Sequence, residues 1–288
     1  MTESVSNQFV MIGLPATGKT SFLAALWYLV HHGEVEHRLT IERMEGDNSH
    51  LNRISDLWAS FEVVPRTSTN SERIVSMVLN DTSTKKSITL TFPDLSGESF
   101  MSQWVDRHFT ASYDEFLKKS IGGVLFISSL NYQKPAKIVS AEPLLKEMGE
   151  AGQPNEEKDE EGFVPWDSTQ APTQVQLVEL LQFIAGREYF KPPFRLALVI
   201  SAWDDVLKVK KTSPAKWLAG EMPFLSQFLE SNRRLFDFNV YGVSAQGGDY
   251  NKDVDELTGM SASERILIEG DGVKNPHDLT ELLTWLMR

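Results

Sequence analysis

Phe9-Val10-Met11-Ile12-Gly13-Leu14-Pro15-Ala16-Thr17-Gly18-Lys19-Thr20 decides how this chain folds. The first four residues are an unbroken apolar run, the composition of a strand buried on both faces. A glycine-bearing loop follows, and then Phe22, Leu26, Leu29 and Val30 recur at helical spacing, giving a helix with one face to bury. Strand, glycine loop and helix in this order make a phosphate cradle, because the turn points backbone N–H groups inward at the positive end of a helix dipole. The spacing G-x-x-x-x-G-K-[ST] assigns the parts. Gly13 and Gly18 permit the turn, Lys19 reaches the β- and γ-phosphates, and the Thr20 hydroxyl takes one coordination place on a Mg²⁺. The candidate nucleotide contacts are therefore Gly13, Leu14, Pro15, Ala16, Thr17, Gly18, Lys19, Thr20 and Ser21.

Downstream, Leu51, Ile54, Trp58 and Phe61 predict a second amphipathic helix between Asn48 and Glu62. A loop follows over Val63 to Ser71, and then two β-rich runs, Ile74 to Leu79 and Ile88 to Phe92, flank the polar turn Asn80 to Thr84 as a hairpin. The second run alternates apolar residues with Thr89 and Thr91, the pattern of a half-exposed antiparallel strand. It runs into Asp94-Leu95-Ser96-Gly97-Glu98, which sets Asp94 to hold Mg²⁺ through water and Gly97 to bring its N–H to a γ-phosphate. Helices through Phe100 to His108 and Tyr113 to Lys119 lead to a buried strand, Gly122 to Ser128. A helix over Thr173 to Glu188, a strand over Arg195 to Ile200, a helix within Pro214 to Glu230, a strand over Phe238 to Val243 and a last helix from Pro276 to Met287 complete the order.

Strands and helices alternate throughout, so the expected architecture is α/β. It is a mostly parallel six-stranded sheet with one antiparallel strand and helices on both faces. All 288 residues are assigned to one enlarged domain, with Gln133 to Ala171 as a mobile acidic surface insertion. The net charge of −12 and pI near 5.0 argue against coating nucleic acid or an anionic membrane. With no cysteine, disulfides, thiol catalysis and cysteine-held metals are excluded. Met1 to Gln8 lacks the features of a secretory signal and no apolar window is long enough to span a bilayer, so a cytoplasmic address is expected. His31 and His32 read as solvated residues at a helix end.

The order of motifs resembles a Ras-like P-loop GTPase of the TRAFAC class, which also includes translation factors. That class arranges a P-loop, a switch threonine, D-x-x-G, a guanine-reading [NT]-K-x-D and a serine-alanine pair. The counterparts are Gly13 to Thr20, Thr67 or Thr69, Asp94 to Gly97, Ser201-Ala202-Trp203-Asp204 and Ser244-Ala245-Gln246. The resemblance covers nearly the whole chain and implies a three-layer αβα P-loop fold. Finer details are similar to the bacterial double-GTPase type group of conflict and antiphage systems. They are the tryptophan-bearing helix before Pro65-Arg66-Thr67, the run Gly97-Glu98-Ser99-Phe100, the Trp203-Asp204 pair and the ending Leu282 to Leu286.

The resemblance implies GTP or GDP and Mg²⁺ as ligands, the metal held through Thr20, Asp94 and either Thr67 or Thr69. Asp204 would read the guanine N1 and N2 edge, a bidentate contact adenine cannot return, with Trp203, Ser244, Ala245 and Gln246 around the base. Ser201 and Ala202 depart from the class at the polar and lysine positions that brace the base. Glu98 stands where relatives use glutamine to orient water; a carboxylate there either orients water or repels the γ-phosphate. Arg66 has the spacing of a transition-state arginine supplied in cis. The expected activity is a slow, Mg²⁺-dependent GTP-hydrolysing switch whose two switch segments are read by a protein partner. The alternatives are a P-loop ATPase or kinase, and a non-hydrolysing nucleotide-dependent interaction module.

Overall fold

A computed structural model of the chain describes residues 7–45, 48–64, 73–94, 103–135, 167–250 and 252–288. Eight strands make one sheet: β1 (Asn7–Gly13), β2 (Leu39–Glu45), β3 (Arg73–Asp81), β4 (Ser87–Asp94), β5 (Ser120–Ser128), β6 (Phe194–Ser201), β7 (Phe236–Ser244) and β8 (Leu267–Gly270). Their spatial order is β2-β3-β4-β1-β5-β6-β7-β8. The five central strands, from β4 to β7, are mutually parallel, while β3 runs against β4 and β2, and β8 runs against β7.

Three sequence expectations are corrected here. The sheet has eight strands, not six, and two of them, β3 and β8, oppose the central direction. The strand containing Ile88 to Phe92 is parallel to β1; its partner in the hairpin is the antiparallel one. Alternation of Ile88 and Leu90 with threonine reports which face is buried, and that pattern is the same whichever way a strand points.

The main helices are α1 (Lys19–His32), α2 (Ser49–Ala59), α3 (Ala111–Lys119), α4 (Thr173–Ala185), α5 (Trp203–Val209), α6 (Pro214–Glu221), α7 (Pro223–Ser231), α8 (Val254–Thr258) and α9 (Thr280–Leu286). They cover both faces. Consecutive residues of a strand point to opposite sides, so Phe9 and Met11 join a core with α1, α2 and α9, built on Phe22, Leu26, Trp58 and Leu283. Val10 and Ile12 join the other core, with Leu117 of α3, Leu181 of α4, Leu218 of α6 and Leu229 of α7. This is the three-layer αβα arrangement. The span Pro214 to Glu230, within which a helix was expected, holds α6 and most of α7, because Pro223 lacks the N–H a continuing helix needs and instead opens α7.

Of the acidic stretch, residues 136–166 lie outside the described ones. Its two ends are joined: Gln133 N–H donates to Thr173 Oγ1 at 2.9 Å, and Thr173 N–H returns to the Gln133 carbonyl at 3.0 Å.

Candidate functional site

Parallel pairing aligns the carboxyl ends of the central strands at one edge of the sheet. Gly13 pairs with Phe126 of β5, Ser128 with Ser201, and Ser201 with Val243, immediately before Ser244. The P-loop, the Ser201 to Asp204 segment and the Ser244 to Gln246 segment therefore emerge side by side. Ligands in open parallel sheets bind at this edge.

Within the P-loop, Ala16 (φ 56°) and Gly18 (φ 83°) take left-handed backbone, the conformation that helps turn successive N–H groups into one concavity. Gly18 caps the 14-residue helix α1, whose first turn holds no acidic residue, so no carboxylate there offsets the positive end of the helix dipole. Thr17 is buried and donates to the Leu14 carbonyl at 2.9 Å, closing the loop on itself. Lys19 Nζ donates to the carbonyls of Gly13 and Leu14, both at 2.7 Å, and to Thr17 Oγ1 at 3.3 Å, which fixes the cation at the loop. Thr20 and Ser21 follow in the first turn of α1.

Ser201 closes β6 against this loop. Its Cβ lies 3.1 Å from where a side chain on Gly18 would begin, and its hydroxyl donates to the Ile127 carbonyl at 3.3 Å. Ala202 then turns with φ 54° into α5. Ser129 ties the two strand ends together, its N–H on the Ser201 carbonyl (3.3 Å) and its hydroxyl on the Ala202 carbonyl (3.1 Å).

Trp203 does not present its ring at the site. The indole is fully buried, lies over Gly242 of β7 and donates from Nε1 to Glu269 of β8 at 2.8 Å. Sequence reasoning set it beside the base; the fold uses it as the foundation on which Asp204 stands. The Asp204 carboxylate is 14% exposed and lies 3.8 Å from Lys208 Nζ, which also reaches Asp205 (3.4 Å) and Asp253 (2.8 Å). Those bonds, that with Asp253 above all, hold the Lys208 ammonium above its ordinary lysine range. Asp204 and Asp205 thus share one cation.

Ser244 is buried, and its hydroxyl accepts from Gly247 N–H at 3.0 Å, which closes the turn carrying Ala245 and Gln246. Two further groups meet this turn that sequence reasoning did not connect with it. Trp58 of α2 donates from Nε1 to the Ala245 carbonyl at 2.8 Å, and Tyr250 donates to the Trp58 carbonyl at 3.2 Å. The helical spacing around Trp58 marked it as core, which it also is.

Asp94 closes β4. β4 and β1 run in step, Val10 opposite Thr91, so Asp94 and Gly13, each three residues on, reach the same sheet edge. Arg66, Thr67, Thr69, Gly97 and Glu98 lie outside the described residues. His31 and His32 are exposed at the end of α1, where His32 stacks on Tyr28 with ring centroids 4.1 Å apart.

Among solved structures, the chain is similar to bacterial selenocysteine-specific elongation factor EF-Sec, with 11% identity and a TM-score of 0.38 over 90% of this chain and 29% of that one. It is also similar to the G domain of the T. maritima FeoB iron transporter, with 12% identity and a TM-score of 0.33 over 88% of this chain and 96% of that one. A third is the RocCORdC part of Methanosarcina barkeri Roco2 bound to GDP, with 14% identity and a TM-score of 0.33 over 92% of this chain and 52% of that one. The chain thus spans under a third of the elongation factor and about half of the Roco2 fragment. A search of curated proteins found no match. A family model matches residues 10–286, nearly the whole chain, and by that match the protein belongs to the Double-GTPase 1 family, and so to the P-loop GTPases.

Proposed function

We propose that this protein is a Mg²⁺-dependent, GTP-hydrolysing switch that works through a protein partner in the cytoplasm, as part of a bacterial conflict or antiphage system. The observation that carries the nucleotide reading is the meeting of three segments at one sheet edge: the left-handed P-loop with Lys19, the end of β6 before Asp204, and the turn at Ser244. The loop N–H groups and the end of α1 bind the phosphates, and Lys19, held at the loop, adds a positive charge beside them. Asp204 accepts from the guanine N1 and N2 positions, while the N–H groups of the Ala245-Gln246 turn meet O6, an acceptor where adenine offers a donor.

The donor set fits Mg²⁺: the Thr20 hydroxyl and the Asp94 carboxylate are hard oxygen ligands, and both segments reach the edge that holds Gly13. When bound, the ion neutralises charge on the β- and γ-phosphates. Thr67 or Thr69 would complete its shell and Gly97 would meet the γ-phosphate, ordering both switch segments for a partner. Arg66 and Glu98 are the residues assigned to the transition state and to the attacking water. Among the described residues no helix is long and apolar enough to cross a membrane.

Calorimetric titration of nucleotide-free protein with GTP, GDP and ATP in Mg²⁺, repeated for Asp204→Ala, tests this reading. The expected result is selective guanine binding that the variant loses. Equal or better ATP binding would overturn it in favour of a P-loop ATPase or kinase. GTP that stays intact even with a bound partner would make the protein a non-hydrolysing interaction module.

A further inference from the structure

We propose that Trp58 is a positioning residue for guanine recognition, acting through the Ser244 to Gln246 turn. This inference rests on the guanine reading above. Trp58 is fully buried near the end of α2, and the one polar atom of its side chain donates to the Ala245 carbonyl at 2.8 Å. A peptide unit is planar and trans, so its carbonyl and the following N–H point in opposite directions. By holding the Ala245 carbonyl toward α2, Trp58 turns the Gln246 N–H away from α2. That orientation is a property of the turn a guanine O6 would sense and an adenine amino group would not.

The indole is itself held on several sides. The Arg265 guanidinium stacks over the rings of Trp58 (4.7 Å) and Phe61 (4.2 Å) and donates to the Ala59 carbonyl at 3.3 Å. Tyr28 of α1 packs on the Trp58 ring at 5.1 Å, and Tyr250, beyond the turn, meets Phe61 edge-on at 5.7 Å and bonds the Trp58 carbonyl. Arg265 is 2% exposed, and burial lowers its affinity for a proton. A guanidinium kept this dry between two rings costs free energy that the ring contacts and the carbonyl bond must offset. The cluster is thus a rigid post, and the turn leans on it through one hydrogen bond. α2 ends at Ala59, so the same post fixes the start of the segment leading to Thr67 and Thr69.

The test is titration of full-length Trp58→Phe with GDP, ADP and pyrophosphate, beside Trp27→Phe. Trp27 is a fitting control, because its Nε1 also donates to a partner on α2, Asn52 Oδ1 at 2.9 Å, and that bond does not reach the turn. Trp58→Phe keeps an aromatic ring under Arg265 and removes the N–H. It is expected to lose about tenfold in GDP affinity with pyrophosphate binding unchanged, the size of one buried hydrogen bond. Trp27→Phe should bind GDP like the wild type while melting at a similarly lowered temperature. The inference is overturned if Trp58→Phe binds GDP like the wild type, if GDP and pyrophosphate weaken together, or if Trp27→Phe loses as much.

Should Trp58→Phe not fold, amide exchange on the wild-type chain decides. GDP is expected to protect residues 49–62 together with 244–250, and protection of 244–250 alone overturns the inference. A wild type without guanine preference would sink the guanine reading itself, whereas a selective wild type with an indifferent Trp58→Phe would sink only this one.

Discussion

The Cβ of Ser201 stands 3.1 Å from the point where a Gly18 side chain would begin, so the end of β6 closes directly on the phosphate loop. Gly18 also sits at φ 83°, where an L side chain costs about 1–2 kcal/mol. Gly18→Ala therefore meets two obstacles. We expect it to weaken GDP binding by about five- to thirtyfold, on the strain alone. Ser201→Gly added to it should relieve the crowding and leave the backbone strain, recovering only part of the loss in a calorimetric titration.

Gly242 and Trp203 make a second close approach. A Cβ on Gly242 would fall 2.2 Å from Trp203 Cδ2, far inside contact distance, and the buried indole has no open space to enter. Gly242→Ala should destabilise the fold by about 1–3 kcal/mol, the range for overpacking a core. Because Trp203 directly precedes Asp204, the variant should also lose guanine selectivity. Thermal melting and paired GDP and ADP titrations measure the two effects; a lower melting temperature with selectivity intact would separate Trp203 from the base site.

The contrast between these sites and the chain around them shows what the sequence made legible. The apolar run from Phe9 and the helical spacing after Lys19 read directly as β1 and α1, because strand and helix periodicities are local. Pro223 was a visible stop whose consequence, the break between α6 and α7, follows from its missing N–H. β2 and β8 were harder. β8 has four residues, too few for a period, and β2 is an edge strand whose pairing slips between Ile41 and Arg43. The burial of the Trp203 ring was not legible, because its hollow is made by Gly242, more than thirty residues away, and only the β6–β7 pairing brings the two together. The link from Trp58 to Ala245 likewise joins residues 187 apart in the chain and carries no local signal.

Lys19 offers a test of the cradle that stability alone would not pass. Its ammonium is bonded to the Gly13 and Leu14 carbonyls at 2.7 Å. Lys19→Ala should weaken GTP and GDP binding by about a hundredfold, the scale of one charged partner lost from a desolvated pair. The bonds are only partly buried, so the melting temperature should move by only a few degrees, about 1 kcal/mol. Lys19→Arg should bind little better, since a forked guanidinium does not fit where a compact ammonium bridges two adjacent carbonyls. Normal affinity in Lys19→Ala would contradict the P-loop assignment.

Asp81 supplies a pH-dependent prediction at the opposite end of the sheet. It pairs with Leu39, while the other end of β3, Arg73, pairs with Asp94 near the site. Burial pushes the Asp81 carboxyl up, but bonds from Arg38 (2.6 and 3.0 Å), from the Ser83 N–H and hydroxyl (2.8 and 2.6 Å) and from Thr84 outweigh it. They hold the group well below the usual carboxylate range. A carboxyl depressed in the folded state stabilises the fold above its unfolded pKa, about 3.9, and loses that contribution as pH falls toward the folded value. Asp81→Asn should therefore cost about 1–2 kcal/mol at neutral pH, reduced from a buried pair's worth because the Arg38 side chain is 40% exposed. Denaturant melts from pH 7 downward should show the gap between wild type and variant constant to about pH 4 and shrinking below it. GDP affinity at pH 7 should be the same in both proteins; a variant that lost nucleotide binding would show that the two ends of the sheet are not independent.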